Sequence, residues 1–282
     1  MRAARLLRRL SAILITLLGL LIATFLIARV VPIDPVLAVV GDRASAETYA
    51  RTRHELGLDR PLYVQFYRYV ALVARGDFGR SVLTRNLVIA DIARFLPATI
   101  ELATLATLLG VALGIPLGVA AAARHGRWPD HAIRVVGLMG YSVPVFWLGM
   151  MALLVFYADL GWAAGPGRLD IVYEDTLPPA TGLLLVDSLV AGNGAIFRSA
   201  LAHLLLPAGV LGYFSLAYIS RMTRSLLLEQ LGQDYITTAR AKGLSETRIL
   251  WRHALGNVLV PLLTVITLAY AHLLEGSVLT ET

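Results

Sequence analysis

The one lysine of the chain, Lys242, stands before Gly243 in the stretch DYITTARAKGLSETRILWRHALGNVLVP, which runs from Asp234 to Pro261. A phosphate-binding loop needs Ser or Thr directly after its lysine and a glycine-rich turn before it. Gly243 fills the first of those places, so ATP has no such site here. The histidines, His54, His125, His131, His203, His253 and His272, form no HExxH or similarly spaced ligand set, and His125 and His131 share a basic turn that repels a metal ion. Ser142, Ser188 and Ser215 lie in no nucleophile-elbow sequence, and no paired carboxylates mark acid/base work. The chain has no cysteine, which removes disulfides, thiolate metal sites and a thiol nucleophile. Catalysis is therefore not expected. What remains is two carboxylates in apolar surroundings, Glu101 and Glu275, and the kinked run Tyr141-Ser142-Val143-Pro144. Ionisable groups within membranes usually serve function, and a proline frees a carbonyl to face a cavity. Glu101, Ser142 and Pro144 are thus candidates for a translocation path, where a carboxylate favours a cationic or amino-terminal group. The competing reading of both glutamates is solvation or hydrogen bonding near the interface.

The elements that carry these residues are membrane helices. Of 282 residues, 57% are hydrophobic and 16% charged, against a charged share of about 25% in soluble domains. The mean hydropathy is +0.69. Apolar blocks recur at the length of roughly 20 residues that one crossing needs. The first, from about Leu10 to Val31, follows a basic start but is too long for a signal h-region and lacks a small-x-small cleavage site. It reads as an uncleaved helix. Four more spans are expected at about Ala98 to Ala123, Ala132 to Tyr157, Ala200 to Ser220 and Val258 to Leu279, with Pro116, Pro144 and Pro207 inside three of them.

The net charge of +6 comes from arginines beside apolar spans, not from a basic polar domain, so nucleic acid is not the expected partner. Arg2, Arg5, Arg8 and Arg9, then Arg124, Arg127 and Arg134, then Arg221, Arg224, Arg240, Lys242, Arg248 and Arg252 all fall on one side if the N-terminus is inside. Residues 159–199, with Asp170, Glu174, Asp175 and Asp187, then lie outside, as does the long region 32–97. Within that region Asp59 and Pro61 mark a helix start. Leu62, Phe66, Val70 and Val73 recur at helical spacing, and Gly76 suits a stop. An amphipathic helix on the outer face is expected.

In the quoted stretch, Tyr235, Ile236 and Ala239 form one apolar edge. Gly243 suits a left-handed helix end. Ser245 is placed to cap a second helix with Glu246 in its first turn, and Ile249, Leu250, His253 and Leu255 supply its apolar face. The expected product is helix, turn and helix on the cytoplasmic surface, entering a span near Pro261. An amphipathic helix resting on lipid headgroups is the plainer alternative.

This stretch resembles the cytoplasmic EAA loop of ABC transporter permeases, and YITTARAKGLSETRILWRHALGNVLVP is similar to the dipeptide/oligopeptide/nickel importer branch. VPIDPV around Pro32, ELGLDRPLYVQFYRYV and GDFGRS between Glu55 and Ser81, and LPATIELATLATLLGVALGIPLGVAAA from Leu96 support that branch. Thr237, Thr238 and Ala239 stand where the general pattern has Glu-Ala-Ala, and Pro261 follows Gly243 later than in that pattern. Relatives are expected to continue beyond GSVLTET into a sixth span.

The resemblance implies an all-α polytopic membrane protein, a type I ABC importer permease bundle with five spans visible and the sixth missing. Its parts would be 1–31, the N-terminus and first span; 32–97, the extracytoplasmic region; and 98–282, the permease core with its coupling loop 221–258. Implied partners are a second homologous permease, two cytoplasmic ATPases, a solute-binding protein outside, and lipid. The chain itself would bind no cofactor, ATP and Mg residing on the ATPases, and would sit in a bacterial or archaeal cytoplasmic membrane. By position Asp234, Tyr235, Ala239, Lys242, Gly243, Leu244, Ser245 and Ile249 would couple to an ATPase, with Gly243 as the bend and Ala239 as the close-approach site. A secondary transporter driven by protons or sodium, and a non-transporting scaffold, are the other readings.

Overall fold

The long apolar runs fold as helices, because a backbone in lipid must satisfy its own hydrogen bonds. A computed structural model describes residues 2–30, 35–41, 43–81, 84–174, 176–177 and 180–276. Val31, Pro32, Asp175 and the tail 277–282, all named above, lie outside the described residues. The chain divides into two units, Met1–Arg94 and Phe95–Thr282.

In the first unit α1 (Arg2–Val30) carries the apolar span Leu6–Ile27. Two short helices follow, α2 (Pro35–Val40) and α3 (Ala46–Glu55), the latter capped by the Ser45 hydroxyl accepting from the Thr48 amide at 3.2 Å. Helix α4 (Leu62–Ala74) starts after Pro61 and stops before Gly76 at φ +79°, as its sequence predicts. It packs on α1 through rings: Phe25 lies edge-on to Phe66 at 5.3 Å between centroids and 5.9 Å from Tyr69. Phe25 is buried by this contact.

Helix α5 (Val88–Ala123) opens the bundle, and a turn leads to α6 (Trp128–Ser142). Helix α7 (Val145–Ala152) runs on as a π-helical turn, Leu153–Asp159. The expected span Ala132 to Tyr157 is broken at its kink: its halves meet at 96°. Pro144 is the cause, since it has no N–H to donate and drives Val143 to an extended φ of −101° and ψ of 129°. Among the described residues, four helices are long and apolar enough to cross a membrane, or five if the bent pair is one span.

Helix α8 (Leu184–Val190) is short, and α9 (Gly194–Leu231) has 38 residues. At 1.5 Å per residue α9 is roughly 57 Å long, well beyond a hydrocarbon core of about 30 Å. Its last turns therefore project past the apolar layer. They lead to α10 (Asp234–Ala241), α11 (Glu246–Arg248), a π-helical turn at Ile249–Ala254 and α12 (Leu255–Gly276).

Helices α5 and α9 cross at backbone range. A Cβ on Gly110 would lie 2.5 Å from Ser215 Cβ, and one on Gly118 would lie 2.6 Å from Thr223 Cβ and 2.7 Å from the Ser220 carbonyl. Gly114, between them, faces the Leu216 carbonyl and Ile219 at 3.1–3.2 Å. Helices in lipid gain little from burying apolar surface against each other, so such small-residue contacts decide which pairs associate. Below this crossing Leu102, Ala103 and Ala106 pack on Ala208, Leu211 and Leu273, joining α12 to the pair.

Gly110→Ala is predicted to lower stability by about 1–3 kcal/mol, the usual cost of overpacking. Gly149→Ala, with nothing within 4 Å of its new methyl, should leave stability unchanged or slightly raised. Thermal unfolding in mild detergent checks both.

Candidate functional site

The bend between α10 and α11 is seated on the bundle by its apolar side. Ile236 and Ala239 of α10, Ile249, Leu250 and Ala254 of the π-helical turn, and Leu255 and Val258 of α12 form one cluster with Leu227 of α9 and Val119 and Ala122 of α5. Leu227, Ile236 and Ile249 are completely buried, each worth about 1.5–3 kcal/mol.

Helix α10 ends in a two-bond motif that requires Gly243. The Leu244 amide donates to the Ala239 carbonyl at 3.2 Å and the Gly243 amide to the Arg240 carbonyl at 2.9 Å. Gly243 holds φ +76°, and Leu244 packs back into the same cluster as Ala239. This is the Schellman end, in which glycine takes the left-handed position and an apolar contact closes the turn.

Two local expectations change. Ser245 occupies the cap position with φ −65° and ψ 145°, but its side chain makes no cap hydrogen bond. Arg240 reaches across the bend instead, giving two parallel bonds to Glu246 at 2.7 and 3.2 Å. Both side chains are largely exposed, so the pair contributes about 0–1 kcal/mol and the apolar seat decides the conformation. Tyr235, expected on one edge with Ile236 and Ala239, turns outward, and its hydroxyl donates to Gln230 Oε1 at 2.9 Å. Residue 235 lies about 100° around the helix from 236, enough here to carry it off the buried edge.

Of the residues picked out for coupling, Ala239 and Ile249 face inward, and Leu244 is half-buried. Asp234, Tyr235, Lys242, Gly243 and Ser245 are exposed. The bend therefore presents a polar ridge on an apolar root.

Beside it lies an ion pair that sequence reading missed. Asp130, in the first turn of α6 and completely buried, accepts from Arg224 Nε at 2.5 Å and Nη2 at 2.8 Å, and from the Gly126 amide at 2.9 Å. The partners lie 94 residues apart, beyond any local pattern.

At the opposite end of the second unit Glu101 is engaged with its own chain. Its carboxylate accepts from the Leu185 amide at 2.7 Å, the Leu184 amide at 3.3 Å and Arg168 at 3.1 Å. It thus sits on the first amides of α8, where a negative charge is favoured. Asp187 is gripped likewise by the Thr181 hydroxyl at 2.7 Å and the amides of Ala180, Thr181 and Gly182. The Thr181 hydroxyl, foremost, and these amides hold its carboxyl below the usual carboxylate range. Ser142 donates to the Leu138 carbonyl at 3.0 Å, and Pro144 begins α7 at the 96° break. Among the described residues no group of three metal-ligating side chains converges.

Arg224→Met is predicted to cost about 3–5 kcal/mol, read by thermal unfolding, because it leaves the buried Asp130 charge unpaired, and Asp130→Ala should cost less, since Arg224 is only partly buried. Asp187→Asn should be less stable than the parent at neutral pH. The folded carboxyl lies below its ordinary 3.8, so its contribution is present above that value and lost as pH falls through the folded value. The gap in unfolding temperature between parent and variant should therefore close in acid.

Residues 114–282 match the family described as "Binding-protein-dependent transport system inner membrane component", and residues 3–103 match its N-terminal companion, "Binding-prot-dependent transport system membrane comp, N-term". The chain is 45% identical over 278 residues to a probable D,D-dipeptide transport system permease protein of Escherichia coli (strain K12), covering 98% of this chain and 81% of that one. It is 44% identical over 276 residues to a di/tripeptide transport system permease protein of Pseudomonas aeruginosa (strain UCBPP-PA14), covering 98% and 82%. A dipeptide transport system permease protein of Escherichia coli (strain K12) is 43% identical over 280 residues, covering 98% and 82%. With a multi-span helical bundle and family matches across nearly its whole length, the chain belongs to the inner-membrane permease components of binding-protein-dependent ABC transport systems.

Proposed function

We propose that this permease forms half of the translocation path of an ATP-driven importer for di- or oligopeptides and takes its power stroke through the bend at Gly243. The observation that carries the proposal is the seating of that bend: a polar ridge whose root is buried among α5, α9 and α12. A push on Asp234, Tyr235, Lys242 or Ser245 reaches three membrane helices without passing through a flexible joint. The similar permeases named above are described as dipeptide or di/tripeptide transporters, which supports the substrate class.

In this reading two ATPases hold the ATP and Mg and grip the ridge, a second permease completes the path, and a solute-binding protein delivers substrate. The chain binds no cofactor itself. The basic turns support a cytoplasmic position for the N-terminus and the bend. ATP-driven closure draws the two bends together and opens the far side; hydrolysis returns the inward-facing state. Ser142 and Pro144, at the broken helix, line the path. Glu101, with its carboxylate bonded to α8 and Arg168, serves by holding the outer segment. A gradient-driven carrier would leave the seated bend without a task.

Gly243→Val forces a β-branched residue into a conformation it resists. Because open space surrounds the Gly243 Cβ position, the bundle should stay folded. Peptide uptake in proteoliposomes is predicted to fall at least tenfold while ATP hydrolysis by the assembled complex persists. Uptake that tracks the proton gradient at constant ATP would refute the importer reading.

A further inference from the structure

Helices α6 and α9 enclose a groove of about 570 Å³ that nothing in the coupling scheme uses. Its polarity changes along its length. At one end lie His131 and Arg134 of α6 and Arg221 and Arg224 of α9; at the other lie Gly137 and Leu138 of α6 and Ala217 of α9. The order reverses between the two helices, as antiparallel neighbours require, so charge gathers at one level and apolar surface at the next.

The charge at that level is a net positive one. Arg224 is paired with Asp130; Arg134 and Arg221 are both exposed, and none of the described residues lining the groove is acidic. The Arg221 guanidinium carbon lies over the Tyr218 ring, 5.9 Å from its centroid, a contact that holds the charged group beside the groove. The adjoining turn exposes Trp128 almost entirely, 80% of it, beside Arg124 and Arg127. Tryptophan with arginine at a helix end marks the level of the headgroups, and basic pockets between membrane helices suit anionic lipid heads.

We infer that this groove binds one anionic phospholipid, its phosphate held by Arg134 and Arg221 and an acyl chain lying along Leu138, Gly137 and Ala217. The match of a charged head over an apolar tail is what selects a lipid over a second protein helix, which would meet arginines along its apolar face. Assignment to the inner leaflet rests on the orientation proposed above. The binding itself does not, and transport assays are not needed to test it.

The full chain, purified in mild detergent with whatever subunits accompany it, is delipidated and titrated with phosphatidylglycerol, with phosphatidylcholine of the same chains, and with inorganic phosphate, bound species being counted by native mass spectrometry. Phosphatidylglycerol is expected to bind at least tenfold more tightly than phosphatidylcholine. The double variant Arg134→Gln/Arg221→Gln should weaken it roughly thirty-fold, from the usual contribution of two basic residues near an anionic surface. Gly137→Leu keeps every charge, and its Cβ meets nothing closer than the Ala217 carbonyl at 3.8 Å; its longer side chain should fill the groove and displace the lipid as well. Equal binding of the two lipids, or phosphatidylglycerol binding unchanged in both variants, overturns the inference. Displacement by an equal concentration of inorganic phosphate does so too, as does finding the groove covered by a co-purified chain.

Discussion

Helices α5 and α9 touch through backbone and small side chains, and both buried clusters of the permease core draw residues from this pair. Gly110, Gly114 and Gly118 recur every fourth residue, so they line one stripe of α5 against Ser215, Ile219 and Thr223 of α9. In water such a stripe would be a weak adhesive. In lipid, where apolar side chains are no better buried against protein than against acyl chains, close backbone approach is what remains. The first gain is rigidity, since two long helices in contact over several turns cannot slide without losing all three sites together.

That rigidity gives the bend at Gly243 its meaning. Ala122 continues the α5 stripe one turn beyond Gly118, and with Val119 it enters the cluster that buries Ile236, Ala239 and Ile249. The glycine crossing and the seat of the bend are therefore one continuous packing column. The exposed Arg240–Glu246 pair tightens the turn, but the aliphatic residues beneath it hold several times more free energy. Asp130 and Arg224 extend the same column to α6, so that α6 and the bend are fixed to the same end of α9. A force applied at the ridge is thus delivered to α5, α6, α9 and α12 as a group.

Local features were legible in the sequence and distant pairings were not. Gly243 was readable as a left-handed helix end because one residue type tolerates φ near +76°, and Pro61 and Gly76 bracketed α4 for similarly local reasons. The spans announced themselves by length and hydropathy, and Pro144 marked a kink. The 96° angle at that kink was not readable, because proline dictates only the break and tertiary packing sets the direction. The π-helical turn at Ile249–Ala254 escaped a 3.6-residue reading. Its wider winding lets Ile249, Leu250 and Ala254 all bury. Glu101 was singled out as an ionisable group in apolar surroundings, yet its partners at Leu184 and Leu185 lie more than 80 residues away. Asp130 carried no signal of its own in the sequence, because its partner Arg224 lies 94 residues away.

The central claim is that the ridge at Gly243 is where an ATPase grips this permease. The chain contains no cysteine, so single cysteines can be introduced without removing any. Lys242→Cys on the ridge and Val172→Cys, exposed at the opposite end of the second unit, would each be treated with a short bis-maleimide in native membranes, and the products identified by mass spectrometry. The account predicts a cross-link from position 242 to a co-expressed ATPase and none from position 172. An ATPase cross-linked only through position 172, or no ATPase at position 242 in membranes that import peptide, would contradict it.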